Sequence, residues 1–317
     1  MSELTAEEAP PTSEVSYYFG VLGPLELRVG NRQIPLGGGR QQIMLTMLLL
    51  EANHVVCMTR LVDGIWNSNP PASAVGQVRI CASALRRILA GAGLGDPIET
   101  ATAGYRLRLP PGASDLAMFQ GLSAKGRAAA STDPQRAVKW LREALLLWRG
   151  SLGVGLDSDI LQIAATKLKE EKLAVVELLF DLQLQLGQSG AVVAELTRHQ
   201  AENPFREKLT ALLMTALYRS NRQAEALSVF QSTRRRYVED LGIEPSAALR
   251  ELEQQILIGD PELGSTVRAG ETGGLLDSDV AARLAELERE NERLRGQFSR
   301  LLRLMERMPE RGPDINK

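Results

Sequence analysis

The chain has 317 residues, 44% hydrophobic and 4% aromatic, enough for two or three packed domains. A net charge of -2 excludes a polycation that coats nucleic acid over its whole surface. Two cysteines and two histidines, with no ligand spacing among them, exclude a disulfide framework and a zinc site, and the longest apolar run (residues 43–50) is too short to span a bilayer. The expectation is a protein of the reducing cytoplasm, nucleoid-associated, with no metal, no cofactor and no membrane contact. Cys57 and Cys81 both read as small residues in apolar settings.

Charge is unevenly spread. Residues 17–110 carry nine Lys/Arg against five Asp/Glu, residues 111–258 eighteen of each, and residues 259–317 ten against twelve. The first sixteen carry four acids and no base, and lack the basic and apolar regions of a secretion signal. Residues 1–16 therefore read as a disordered lead-in. Residues 17–110 hold the positive excess that nucleic acid would require.

From Tyr18 to Val29 the pattern predicts strands, with a turn at Asn31 and a short return strand at Ile34 to Leu36. Gly37-Gly38-Gly39 breaks the chain before a helix over residues 40–52. It is not a phosphate loop, because no Gly-Lys-Ser/Thr follows at the required spacing. Thr59 predicts the cap of a second helix running to Trp66.

A third helix is predicted after Ser73, to Leu89. Ala74, Val78, Ala82, Leu85 and Leu89 form its buried stripe. The opposite face shows Gln77, Ile80, Ser83, Ala84 and Arg87, and no acid occurs from Pro70 to Gly95. That face suits the major groove, where Gln77 and Arg87 would read base edges and Ile80 and Ala84 would meet thymine methyls. The plainer reading is an amphipathic helix with solvated arginines. A hairpin is predicted next, from Ile98 to Thr100 and from Tyr105 to Leu109. Strands, three helices and a hairpin make a winged helix-turn-helix. Arg40, Arg79, Arg86, Thr102 and Arg106 are then the expected phosphate and wing contacts, with Tyr105 packed beneath the wing.

Residues 111–258 read as helix after helix, with breaks at Asp133-Pro134, Gly150, Gly187, Asn203-Pro204, Ser220-Asn221 and Gly242. Paired helices of twelve to twenty residues point to a tetratricopeptide-like stack, with Ala226 and Phe230 at the spacing that closes adjacent helices. No nucleophile–base constellation stands out, so no enzyme is expected. Residues 259–276 read as a linker. Over residues 277–309, Leu284, Leu287, Asn291, Leu294, Phe298, Leu301, Met305 and Met308 step by 3,4,3,4,3,4,3, a heptad seam with one polar Asn at an a position. It reads either as a parallel homodimer, at least on DNA, or as a helix that folds back on the repeats or pairs with a different partner helix.

Four motifs occur in order: Trp148-Arg149-Gly150, Asn203-Pro204-Phe205-Arg206-Glu207, Ala216-Leu217-Tyr218-Arg219-Ser220-Asn221-Arg222-Gln223-Ala224-Glu225-Ala226-Leu227, and Leu241-Gly242-Ile243-Glu244-Pro245. Together they resemble the bacterial transcriptional activation domain. With a winged helix in front, the chain resembles the Streptomyces antibiotic regulatory protein (SARP) family over about residues 18–262, as a small stand-alone member. The resemblance implies an activator of a biosynthetic gene cluster that binds direct repeats in double-stranded promoter DNA and recruits RNA polymerase holoenzyme. It departs from the family where Arg is common but Ala84 stands here, and where Cys81 replaces a polar or aromatic residue. The fold expected is mostly α with a small α+β N-terminal domain, then an all-α repeat domain and a coiled-coil helix. The competing reading is a helical-repeat interaction scaffold, or a ligand-responsive regulator, whose winged domain is not the main effector.

Overall fold

The computed structural model describes residues 17–264, all within the first of the two units, Met1–Thr266 and Val267–Lys317. The lead-in 1–16 and the heptad seam from Leu284 to Met308 lie outside the described residues. The described chain is mostly helical, with a small β-containing N-terminal portion. No described helix is long and apolar enough to cross a membrane.

Strands β1 (Tyr17–Gly20), β2 (Glu26–Val29) and β3 (Arg32–Gln33) form an antiparallel sheet in that order, with Phe19 opposite Leu27. The return strand falls at Arg32, not at Ile34 to Leu36 as the pattern predicts, because the turn at Gly30 is tight and left-handed. Helix α1 (Gly39–Leu50) follows, then β4 (Val55–Cys57), α2 (Met58–Trp66) and α3 (Ala74–Gly91). Strands β5 (Ile98–Ala101) and β6 (Gly104–Leu107) make the expected hairpin. Its inner strand also pairs with β4, giving a second sheet of order β4-β6-β5.

The sequence reading missed β4, since three residues are too few to show alternation. Its pairing explains Gly104: a Cβ there would collide with the Val56 carbonyl oxygen of β4. Thr59 lies inside α2, whose cap position is Cys57. Cys57 is exposed and Cys81 buried, so only one of the two sits in the expected apolar setting.

The helical part runs α4 (Asp115–Ala129), α5 (Pro134–Leu146), α6 (Asp159–Gln185), α7 (Ser189–Glu202), α8 (Glu207–Arg219), α9 (Gln223–Arg236), a π turn (Tyr237–Leu241) and α10 (Ala247–Ile258). The α5 start follows the expected rule: Pro134 occupies the first turn and the Asp133 carboxylate accepts from Arg136 N at 3.0 Å. The π turn ends on Gly242 in the left-handed region. A last turn, α11 (Pro261–Gly264), falls where the sequence predicts linker. It is held because α8 reaches it: Tyr218 Oη donates to Asp260 O at 3.0 Å and Arg219 Nε to Leu263 O at 2.9 Å.

At 27 residues α6 exceeds the predicted helix length and spans about 40 Å. It is buried on two faces. Leu161, Leu168, Val175, Leu179 and Leu182 join a core shared with the N-terminal sheets and α1–α5. Leu173, Val176, Phe180 and Leu184 join a second core with α7–α10, which includes Ala226 and Phe230. Hydrophobic contact is thus continuous across residue 110, where the sequence suggests a boundary.

Candidate nucleic-acid interface

The third helix is built as its periodicity predicts. Ala74, Val78, Ala82, Leu85 and Leu89 are all buried, joined by Cys81. Burying that stripe forces the other side outward. Ile80 is 67% exposed, a large apolar side chain held in solvent, and Arg79, Ser83 and Arg87 are exposed around it. Gln77 and Ala84 are half-buried on the flanks.

The arginines on and around this face fall into two groups. Arg79 and Arg87 have no carboxylate within ion-pair distance among the described residues. Arg40, at the start of α1, stacks 5.3 Å over the Trp66 ring of α2 and donates through a terminal nitrogen to Gln77 Oε1 of α3 at 2.5 Å. Gln77 Nε2 donates in turn to Ser73 Oγ at 2.9 Å, so Ser73 binds a side chain instead of capping the backbone. Three helices thereby present one connected donor edge. Its cations are uncompensated, which is the condition a phosphate backbone rewards.

Arg86 belongs to the second group. Its guanidinium donates to Ile98 O at 2.9 and 2.6 Å and to Thr100 Oγ1 at 2.9 Å, pairs with Asp96 at 3.1 Å, and lies 5.8 Å over the Tyr105 ring. It staples α3 to the hairpin, a different task from the phosphate contact expected of it. Tyr105 is buried beneath that staple. Arg106 lies opposite Glu99 and pairs with it at 3.5 Å; Arg108, which the sequence reading did not single out, pairs with the same carboxylate at 2.6 Å. Two arginines sharing one acid leave the hairpin with net positive charge, and Thr102 is exposed at its tip.

A joint fixes this portion to the helices. The Asp115 carboxylate is fully buried and accepts from Val21 N and Leu22 N, each at 2.9 Å. Burial pushes its pKa up, against the pull of those amides and of Arg149. Arg149 pairs with Asp115 at 3.3 Å and Glu26 at 3.1 Å, and its backbone N donates to Leu22 O at 2.7 Å. Tyr18 is pushed up to about 12, first by its own burial and then by the neighbouring Asp115 carboxylate.

The motif residues of the helical part are joints of the same kind. Arg206 ties α8 to α6 through Glu177 and Glu170, both at 2.6 Å. Tyr237 Oη donates to Phe205 O at 2.8 Å, and Glu207 accepts from Ser246 N at 2.9 Å. Arg234 pairs with Glu244 at 2.7 Å. Among the described residues no group of His, Cys, Asp and Glu is arranged to hold a metal ion.

Residues 114–257 match the bacterial transcriptional activator domain. The chain is 37% identical over 254 residues to the regulatory protein AfsR of Streptomyces griseus, covering 80% of this chain and 26% of that protein. It therefore spans about a quarter of the length of that relative. It is 32% identical over 252 residues to the regulatory protein DnrI of Streptomyces peucetius, covering 77% of this chain and 93% of DnrI. The solved structure of Mycobacterium tuberculosis EmbR in complex with a low-affinity phosphopeptide superposes with a TM-score of 0.73 at 32% identity, over 82% of this chain and 71% of that one.

Proposed function

We propose, on the premise that the chain belongs to the Streptomyces antibiotic regulatory protein family of transcriptional activators, that it binds promoter DNA through the outward face of α3. Members of this family are transcriptional regulators and not enzymes. In this reading residues 17–110 act as a winged helix-turn-helix, α3 enters the major groove, and β5–β6 is the wing. Gln77, Ile80, Ser83, Ala84 and Arg87 face base edges. Arg40 and Arg79 meet phosphates, with Arg106 and Arg108 at the wing. Arg86 holds the wing in place.

One observation carries the reading: the acid-free face of α3 holds an exposed isoleucine between two arginines without carboxylate partners. A solvated helix face gains nothing from an exposed Ile, whereas a groove lined by thymine methyls does. The helices from Asp115 onward, stacked in a tetratricopeptide-like manner, recruit RNA polymerase holoenzyme. The regulated genes form a biosynthetic cluster, as the family resemblance implies, and the sites are direct repeats occupied by two copies.

The test is selection from random duplex DNA with the full chain at near-physiological salt. Enrichment of a motif repeated about one helical turn apart is the expected result. Recovery of unenriched DNA, or an equal loss of affinity for the selected and for random DNA when Arg87 is replaced, overturns the base-reading role.

A further inference from the structure

The helical part contains a cavity that shares no residue with the outward face of α3. A cleft of about 440 Å3 lies between α6, the end of α7 and the loop joining α5 to α6, walled by Trp148, Lys169, Lys172, His199, Glu202 and Asn203. A second hollow of about 370 Å3 shares Trp148, Lys172 and His199 with it, so the two meet across those side chains. The size suits a small organic molecule.

Its chemistry is asymmetric. Lys169 and Lys172 have no carboxylate within ion-pair distance among the described residues; the one acid of the cleft, Glu202, lies 4.0 Å from His199 Nδ1 and acts on Lys172 from farther away. The Lys172 ammonium sits 5.0 Å over the Trp148 ring. Burial holds its pKa below the ordinary ammonium value; Glu202 pulls against that shift and Arg198 pushes with it, so this charge is only partly compensated where it lies. Burial likewise lowers His199 and favours the neutral imidazole, which offers one donor and one acceptor. The indole is held rigidly, with Phe119 edge-on at 5.3 Å, and its Nε1–H is buried without an acceptor.

We propose that this cleft binds a small aromatic anion (a carboxylate, sulfonate or phosphate monoester), its acid group between Lys169 and Lys172 and its ring beside Trp148. Two unpaired ammonium groups select the negative charge, and the aromatic and aliphatic walls select a flat apolar body. The site goes beyond DNA recognition, and its place in the chain has a consequence. Trp148 directly precedes Arg149, the side chain that clasps Asp115 and Glu26, so an occupant sits one residue from the joint between the helices and the N-terminal sheets.

The test is fluorescence titration of the full chain with 1-anilinonaphthalene-8-sulfonate, with N-phenyl-1-naphthylamine as the uncharged control. Saturable one-to-one binding of the sulfonate is expected, with affinity for the neutral dye weaker by about tenfold or more. Lys169→Gln with Lys172→Gln should weaken the sulfonate by about tenfold and leave the neutral dye and the melting temperature unchanged. Lys169→Gln alone, at an exposed position, should weaken it by about threefold, which keeps the test valid if the double variant is unstable. Equal affinity for the two dyes, or an unchanged sulfonate affinity in both variants, overturns the proposal. Displacement of the sulfonate dye by a short oligoglutamate peptide but not by naphthalene-1-sulfonate overturns it in favour of an acidic protein segment. DNA binding enters none of these readings, so failure here leaves the DNA-reading proposal standing.

Discussion

The arginines of α3 and the arginine of the Arg149 joint are the same residue in opposite circumstances. Arg149 meets two carboxylates and a carbonyl, one of the acids fully buried. Arg79 and Arg87 meet no acid within the described fold. A paired arginine beside a buried acid is committed to the fold, because removing either partner strands the other. An unpaired one contributes little to folding and keeps its charge for an outside partner. Arg86 shows how fine the division is, since it neighbours Arg87 in sequence yet is spent on the hairpin.

The largest effect that would sharpen this contrast is at the joint. Asp115→Ala leaves the amides of Val21 and Leu22 without their acceptor and Arg149 without one counter-charge; it should cost about 3–5 kcal/mol in urea unfolding. A loss below about 1 kcal/mol would show that water takes over the carboxylate's role. Next, Arg86→Ala should cost about 1–3 kcal/mol of stability, because the buried Ile98 carbonyl and the Tyr105 ring lose their partner.

Arg87→Ala should do the reverse. Folding stability should stay within about 0.5 kcal/mol, while affinity for the selected DNA falls by about 1–3 kcal/mol and random DNA is less affected. Equal losses on both DNAs would move Arg87 to the phosphate group. Arg79→Ala should weaken every sequence alike and reduce the slope of log affinity against log salt by about one unit. An unchanged slope would show that this unpaired charge meets no phosphate.

The smallest effect concerns pH. Burial holds His199 below its ordinary 6.5, so the folded chain binds fewer protons there than the unfolded one. The stability from this group is therefore complete above pH 6.5 and is lost as pH falls from there through the lower folded value. The melting temperature should drop less steeply with acid in His199→Gln than in the native chain. Identical profiles would mean that the fold leaves the imidazole unperturbed.

The buried faces of several described helices were legible in the sequence. Ala74, Val78, Ala82, Leu85 and Leu89 could be read as a buried stripe, and Ala226 and Phe230 as a closing pair, because side chains four apart on a helix share a face whatever surrounds them. The pattern also named the outward residues of α3. It did not show β4, whose three residues carry no period, nor the double burial of α6, whose second face belongs to a later set of helices.

What the sequence determined by itself is therefore local and periodic: which segments are helical, which side of α3 is apolar, and where charge accumulates. Its ordered motifs pointed as well to the family. Tertiary structure alone decided which charges are free. Arg86 and Arg87 are adjacent and chemically identical, and only the arrival of Asp96, Ile98 and Thr100 from the hairpin separates a staple from an open donor. Asp115 and Arg149 lie 34 residues apart and meet the main chain of residues 21–22 from still farther away. Pairing over such distances depends on where packed elements come to rest, which no periodicity records.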